Sequence, residues 1–257
     1  MKKIILALVV VVLLIGIGIN ISFQSHSNVQ IEMSNDISQL APGKTLRLEV
    51  PQVLANDSKQ RVFEIRIPEH YKPDDSIPLL VWFSPGNGSN SISSIPPIVD
   101  KTKFLLVAIP YPDNQLPRVA IEANTIDNFW DYEKPMLDYV KYMIPNIDPN
   151  IKIAAGFSSG AHLVGSGLDR NWIGFTDFFT VYILHEGGGS PSNTYQGAKS
   201  THKILVTYGL QNNSYGQVVV VNMKKSGIVP DVIKLTNTGH TMSQESIDAI
   251  RRWVNVL

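Results

Sequence analysis

A serine held between glycines is the feature of this chain that most plainly suggests chemistry: Ser158 in Gly156-Phe157-Ser158-Ser159-Gly160. The pattern is Gly-x-Ser-x-Gly, and its setting strengthens it. The apolar run Ile151-Lys152-Ile153-Ala154-Ala155 enters it as a strand, and Ala161, Leu163 and Val164 begin a helix directly after. A serine on so sharp a turn holds its hydroxyl exposed above the sheet, and the glycines let strand and helix approach each other. An ordinary Gly/Ser-rich loop is the competing account. A serine hydroxyl becomes a nucleophile beside a general base. His240, in Thr238-Gly239-His240-Thr241, follows the last strand-like run and precedes the last helix-like one. A base there would reach the turn from a neighbouring strand end, and nucleophile before base is the expected chain order. The other histidines fit less well. His26 is near the N-terminus, His70 in an early loop, and His202 at the start of a strand, the wrong end of the sheet. His162 follows Ser158 on the helix and is expected to pack there, while His185 ends a strand and is expected to contact substrate.

These residues together point to acyl transfer through an acyl-enzyme, which also needs donors for a developing oxyanion. The N–H of Ser159, at the start of a helix, is one candidate. The other should come from Ser84-Pro85-Gly86-Asn87-Gly88-Ser89, where the glycines let backbone N–H groups turn toward a carbonyl, with Gly86 or Asn87 as the donor. Trp130, Tyr132, Trp172 and Tyr195 are candidates for an aromatic platform under the substrate, with core packing as the alternative for each. No clustered metal-ligand spacing is present, and no metal or organic cofactor is implied.

The elements that must hold these residues follow from periodicity. Segments 45–50 and 61–67 alternate as strands and, with Asn56-Asp57-Ser58 between them, predict an antiparallel pair. Runs 79–83, 104–109, 151–155, 178–184, 204–208 and 232–235 read as further strands, the early ones continuously apolar, as suits strands covered on both faces. Helices are expected over 127–143, with Pro135 in the first turn or at a kink, and over 160–168, 217–225 and 244–256. Strands alternating with helices predict an α/β fold with a mainly parallel, doubly wound sheet, whose ligands bind beyond the C-terminal strand ends.

The chain has 257 residues, 44% hydrophobic and 17% charged, enough apolar material for one large domain. Its 22 basic and 22 acidic side chains cancel, so nothing points to a nucleic-acid partner. Lys2 and Lys3 precede an unbroken apolar run from Ile4 to Ile19, which reads as a signal peptide or an uncleaved membrane anchor over 1–22. A polar lead-in over 23–43 then precedes the domain at 44–257. That places the domain outside the cytoplasm: secreted, periplasmic, or tethered to the outer side of the membrane through this segment alone. There is no cysteine, hence no disulfide and no lipidated N-terminal Cys.

In these motifs the chain resembles the α/β-hydrolase superfamily, and within it the esterases that include poly(hydroxyalkanoate) depolymerases, feruloyl esterases and acetylxylan esterases. The matching stretches are 65–71, 77–88, 146–150 leading into 153–161, 206–209 and Gly239-His240. The resemblance implies an α/β-hydrolase fold with an antiparallel N-terminal edge and a serine esterase. Two departures stand out. The loop after 79–83 begins Ser84-Pro85-Gly86 instead of His-Gly, and the stretch that usually supplies the triad acid, Leu210-Gln211-Asn212-Asn213-Ser214, has no carboxylate. Glu186, after the preceding strand, could supply the acid, as it does from that strand in some family members. Asn212 could orient His240 through its amide oxygen instead. With neither, the chain would be a catalytically impaired binding protein on a hydrolase scaffold. Asp231, at the opposite end of the sheet, is set aside. The interval 185–202 is too short for the helical cap of many lipases, so the expected substrate is an ester, bulky or polymeric ones included.

Overall fold

The computed structural model describes residues 39–55 and 57–257, with backbone alone at 212 and 213. The expected leader over 1–22, His26 and most of the lead-in therefore lie outside the described residues. Among the described residues no helix is long and apolar enough to cross a membrane.

The strands are Thr45–Glu49 (β1), Val62–Arg66 (β2), Ile77–Phe83 (β3), Leu105–Ile109 (β4), Ile147–Phe157 (β5), Val181–His185 (β6), Lys203–Gly209 (β7) and Asp231–Leu235 (β8). The helices are Gln52–Ala55 (α1), Pro117–Glu122 (α2), Asp127–Met143 (α3), Ser159–Arg170 (α4), Asn213–Lys225 (α5) and Gln244–Val254 (α6). They build one eight-stranded sheet in the order β1-β2-β4-β3-β5-β6-β7-β8. β2 is antiparallel to both β1 and β4, and every other pair is parallel. The chain winds toward β4 after β3 and toward β6 after β5, so the order reverses between β3 and β5. Ligand sites in open α/β sheets form at such a switch point.

Strand side chains alternate between two apolar layers. Leu79, Val81 and Phe83 of β3 enter one layer, with α3, α4 and α5; Leu80 and Trp82 enter the other, with Ile250 and Val254 of α6. Burial on both faces explains why these strands read as continuous apolar runs. Helix α6 is capped by Ser243, whose hydroxyl accepts the N–H of Ser246 at 3.1 Å.

Several boundaries differ from the periodicity. Pro135 lies inside α3, beyond its first turn. Phe178 and Phe179 stand outside β6, in a turn bonded back to the Phe175 carbonyl, and Phe179 joins an aromatic cluster with Phe175 and Tyr182. The valine-rich segment after Gln217 is helical, because a helix aligns Val219 and Met223 on one buried face. Helix α2, which periodicity did not mark, follows Leu116 and begins at Pro117, whose fixed φ suits a first helical position.

Candidate active site

Ser158 sits on the turn from β5 into α4 with φ 55° and ψ −114°, a backbone conformation that side chains disfavour. Close packing imposes it. A Cβ on Gly160 would lie 1.8 Å from the Phe83 carbonyl oxygen, and one on Gly156 would lie 2.2 Å from the Gly160 carbonyl carbon. Only glycine lets β3, β5 and α4 meet here. Ser158 N–H donates to the His185 carbonyl at 2.9 Å, and the Ser158 carbonyl accepts from His162 N–H at 3.0 Å, which pins the turn from both sides.

His240 follows β8, and its Nε2 lies 2.8 Å from Ser158 Oγ. Glu186 follows β6, with Oε2 3.9 Å from His240 Nδ1, within ion-pair range and longer than a hydrogen bond. Its carboxyl is fully buried, and Oε1 accepts the backbone N–H of Gly209. Glu186 also has positive φ, 54°, with its N–H on the Thr207 carbonyl at 3.0 Å. Serine, histidine and carboxylate therefore meet above the ends of three different strands. The Asn212 backbone lies in a turn after β7, and its side chain is outside the described residues.

Phe83 pairs with Gly156, so the loop after β3 opens beside Ser158. In it Gly86 has φ +61°, and Gly86 and Asn87 are exposed. Tyr111, buried after β4, braces this loop: its hydroxyl donates to the Ser84 carbonyl at 2.5 Å, and its ring fills the space a Cβ on Gly88 would take. Ser159 opens α4, where N–H groups have no intrahelical acceptor.

His185 does not face a substrate. Its ring is buried, with Nδ1 2.6 Å from Thr207 Oγ1 and Nε2 3.1 Å from the Thr241 carbonyl. Burial lowers its pKa to about 4, so the ring is neutral near pH 7. A carbonyl can only accept, so Nε2 carries the proton and Nδ1 accepts from the Thr207 hydroxyl. His185 thereby ties down the residue next to His240.

Trp130 and Trp172 are not a substrate platform either. Both are buried and stack within 1° of parallel, ring centres 6.0 Å apart. Their indole N–H groups donate to the Ile173 carbonyl at 2.9 Å and Asp127 at 2.6 Å. Tyr132 and Tyr195 are buried too, with hydroxyls on the Gln60 and Gly188 carbonyls. Large aromatics with a polar tip satisfy core packing and a buried hydrogen bond at once, which is why type alone did not separate core from site.

His162, expected to pack beside Ser158, joins residues the motifs did not bring forward in lining a cleft of about 220 Å³ between α2, α4 and α5. Arg118, Ile121 and Glu122 come from α2, His162 from α4 and Tyr215 from α5. His162 packs edge-on against Tyr215, ring centres 5.4 Å apart at 87°. Burial first, then the charges of Arg118 and His240, lower its pKa to about 4. Among the described residues no group of three or more His, Cys, Asp or Glu is placed to hold a metal ion.

No model of a known protein family matches the chain, and no curated protein does. Solved structures do. The chain is similar to an acylaminoacyl peptidase of Pyrococcus horikoshii, with a TM-score of 0.61 and 11% identity over 85% of this chain and 42% of that one. It is also similar to a Rhizomucor miehei esterase, with a TM-score of 0.59 and 12% identity over 87% of each chain. A third is esterase 2 of Thermogutta terrifontis, phosphorylated by paraoxon, with a TM-score of 0.57 and 14% identity over 84% of this chain and 93% of that one. The chain thus spans less than half of the peptidase and most of these two esterases. At such identities the likeness is one of fold, in keeping with the mainly parallel eight-stranded sheet. The chain has the α/β-hydrolase fold.

Proposed function

We propose that this protein is a serine esterase that hydrolyses carboxylic esters outside the cytoplasm. The observation that carries the reading is the 2.8 Å approach of His240 Nε2 to Ser158 Oγ on a strained strand-to-helix turn. In the reaction, Ser158 Oγ bonds to the ester carbonyl carbon while its proton passes to His240 Nε2. The carbonyl oxygen becomes an oxyanion facing the N–H groups of Ser159 and of Gly86 or Asn87. Collapse breaks the bond to the alcohol oxygen, which leaves with the proton from His240. Water then repeats the sequence on the acyl-enzyme, releasing the carboxylic acid and restoring Ser158. Glu186, facing Nδ1, holds the imidazole tautomer and balances the imidazolium. No metal or organic cofactor takes part.

The likeness to esterases is consistent with ester substrates, and bulky or polymeric ones are proposed because the exposed His240 leaves room for a large alcohol. The test is labelling by a fluorophosphonate and turnover of p-nitrophenyl butyrate. Both should be present in the native protein and absent in a folded Ser158→Ala variant. A folded native protein that neither labels nor turns over ester above the Ser158→Ala level would show a binding protein instead, and equal turnover well above background would remove Ser158 as the nucleophile. Residues 1–22 are proposed to export or anchor the domain, and finding the full chain in the cytoplasmic fraction of its own cells would refute that.

A further inference from the structure

We propose that the cleft between α2, α4 and α5 receives the acyl arm of the ester and restricts the enzyme to short, uncharged acyl groups. The proposal rests on the esterase reading. His162 lies one helical turn beyond Ser158 on α4, and Gly188 belongs to the segment that follows Glu186. His162 thus puts one wall of the cleft one helical turn from Ser158, within reach of an arm on the reacting carbonyl, although Ser158 and His240 do not themselves line it.

Its volume sets the size of the arm. At about 220 Å³ the cleft is smaller than the roughly 300–1,000 Å³ of pockets that hold drug-sized ligands, and it suits a short arm. Its chemistry sets the charge. Ile121, the Gly188 backbone and the rings of His162 and Tyr215 give a mostly apolar wall. Arg118 Nε is 3.1 Å from Glu122 Oε1, so that cation is already balanced. His162 is neutral near pH 7, since its pKa is lowered to about 4. A carboxylate on the arm would lose water without meeting an uncompensated positive charge.

The orientation follows from the proton. The alcohol leaves with the proton from His240 Nε2, and the His240 side chain is 47% exposed. The departing arm thus lies on the open side, and the cleft beside His162 remains for the acyl side. One small arm and one unrestricted arm describe a short-chain acyl ester of an alcohol of any bulk.

The test uses the full chain and p-nitrophenyl esters from acetate to decanoate. Native kcat/KM should fall by roughly tenfold or more once the acyl chain outgrows the cleft. Ile121→Trp should move the break to shorter esters and Tyr215→Ala to longer ones, changing the octanoate-to-acetate ratio in opposite directions. Either variant alone suffices if the other does not fold, judged by near-UV circular dichroism. In parallel, hexanamide is titrated into Ser158→Ala protein and followed by the NMR signals of the His162 ring. The signals should shift, and adding Ile121→Trp should abolish the shift. Ester turnover with a ratio unmoved in a folded variant overturns the cleft assignment and leaves the esterase reading standing. Absent turnover with a persisting hexanamide shift does the reverse.

Discussion

At the residue scale the open question is what steadies His240. Glu186 is buried, its carboxyl holds the Gly209 N–H, and Oε2 faces His240 Nδ1 at 3.9 Å. In the proposed esterase reaction a buried carboxylate there would stabilise the imidazolium formed as Ser158 attacks and select the tautomer with its proton on Nδ1. Glu186→Gln keeps the shape and removes the charge. Turnover number should fall by about 10²–10⁴ with KM nearly unchanged, since a triad Asp-to-Asn change in the serine-protease case cost about 10⁴. Steady-state kinetics on p-nitrophenyl butyrate check it. Full activity in Glu186→Gln would move the role away from this residue, with Asn212 as the next to substitute. The competing histidine has a different function. His185 was expected at the substrate, yet its two ring nitrogens are taken up by Thr207 and Thr241.

At the scale of elements, the loop after β3 depends on the segment after β4. Tyr111 reaches back to the Ser84 carbonyl and lies under Gly88, which also bridges to Pro110. Tyr111→Phe keeps the ring and removes the donor, leaving a buried carbonyl unpaired at a cost of about 1–3 kcal/mol. If this brace aims the oxyanion donors, kcat/KM should fall by about tenfold or more, and affinity for a trifluoromethyl ketone should fall in parallel. Affinity for a ground-state amide should stay level. Lower thermal stability with unchanged ketone affinity would reduce Tyr111 to a packing residue. The glycines of the turn act at the same scale. Adding a methyl group at Gly160 drives it into the Phe83 carbonyl, so Gly160→Ala should yield little folded protein in an expression and melting assay.

At the scale of the whole molecule, three shielded groups shape stability against pH. His162 and His185 have pKa values lowered from 6.5 to about 4, so each adds stability that is complete above 6.5 and lost as pH falls toward 4. Glu133 is fully buried in α3, its carboxyl oxygens have no hydrogen-bond partner among the described residues, and burial holds its pKa well above 4.5. It adds stability that is complete below 4.5 and lost as pH rises toward its own raised value. Each group changes stability by about 1.4 kcal/mol per pH unit inside its window. Between 4.5 and 6.5 the two histidines outweigh Glu133, so stability rises with pH across that window. Urea unfolding should therefore show stability rising from pH 4.5 to 6.5, and Glu133→Gln, which removes the opposing group, should steepen that rise. An unchanged slope between pH 4.5 and 6.5 in that variant would contradict the assignment.

What was legible from residue order was whatever depends on neighbours along the chain. The turn around Ser158 was visible because its glycines, its strand and its helix are contiguous. The sheet strands were visible because burial on both faces leaves continuous apolar runs, and His240 because it follows the last of them. The tertiary structure decided what depends on distance across the sheet. It brought Glu186 from the end of β6 to the histidine after β8, a meeting set by parallel register through β7. It turned Trp130, Trp172 and His185 inward, because an aromatic or imidazole ring serves a core and a site equally well until its neighbours are known. It also placed α2 over α4 to form the cleft, from a six-residue helix too short to show a period.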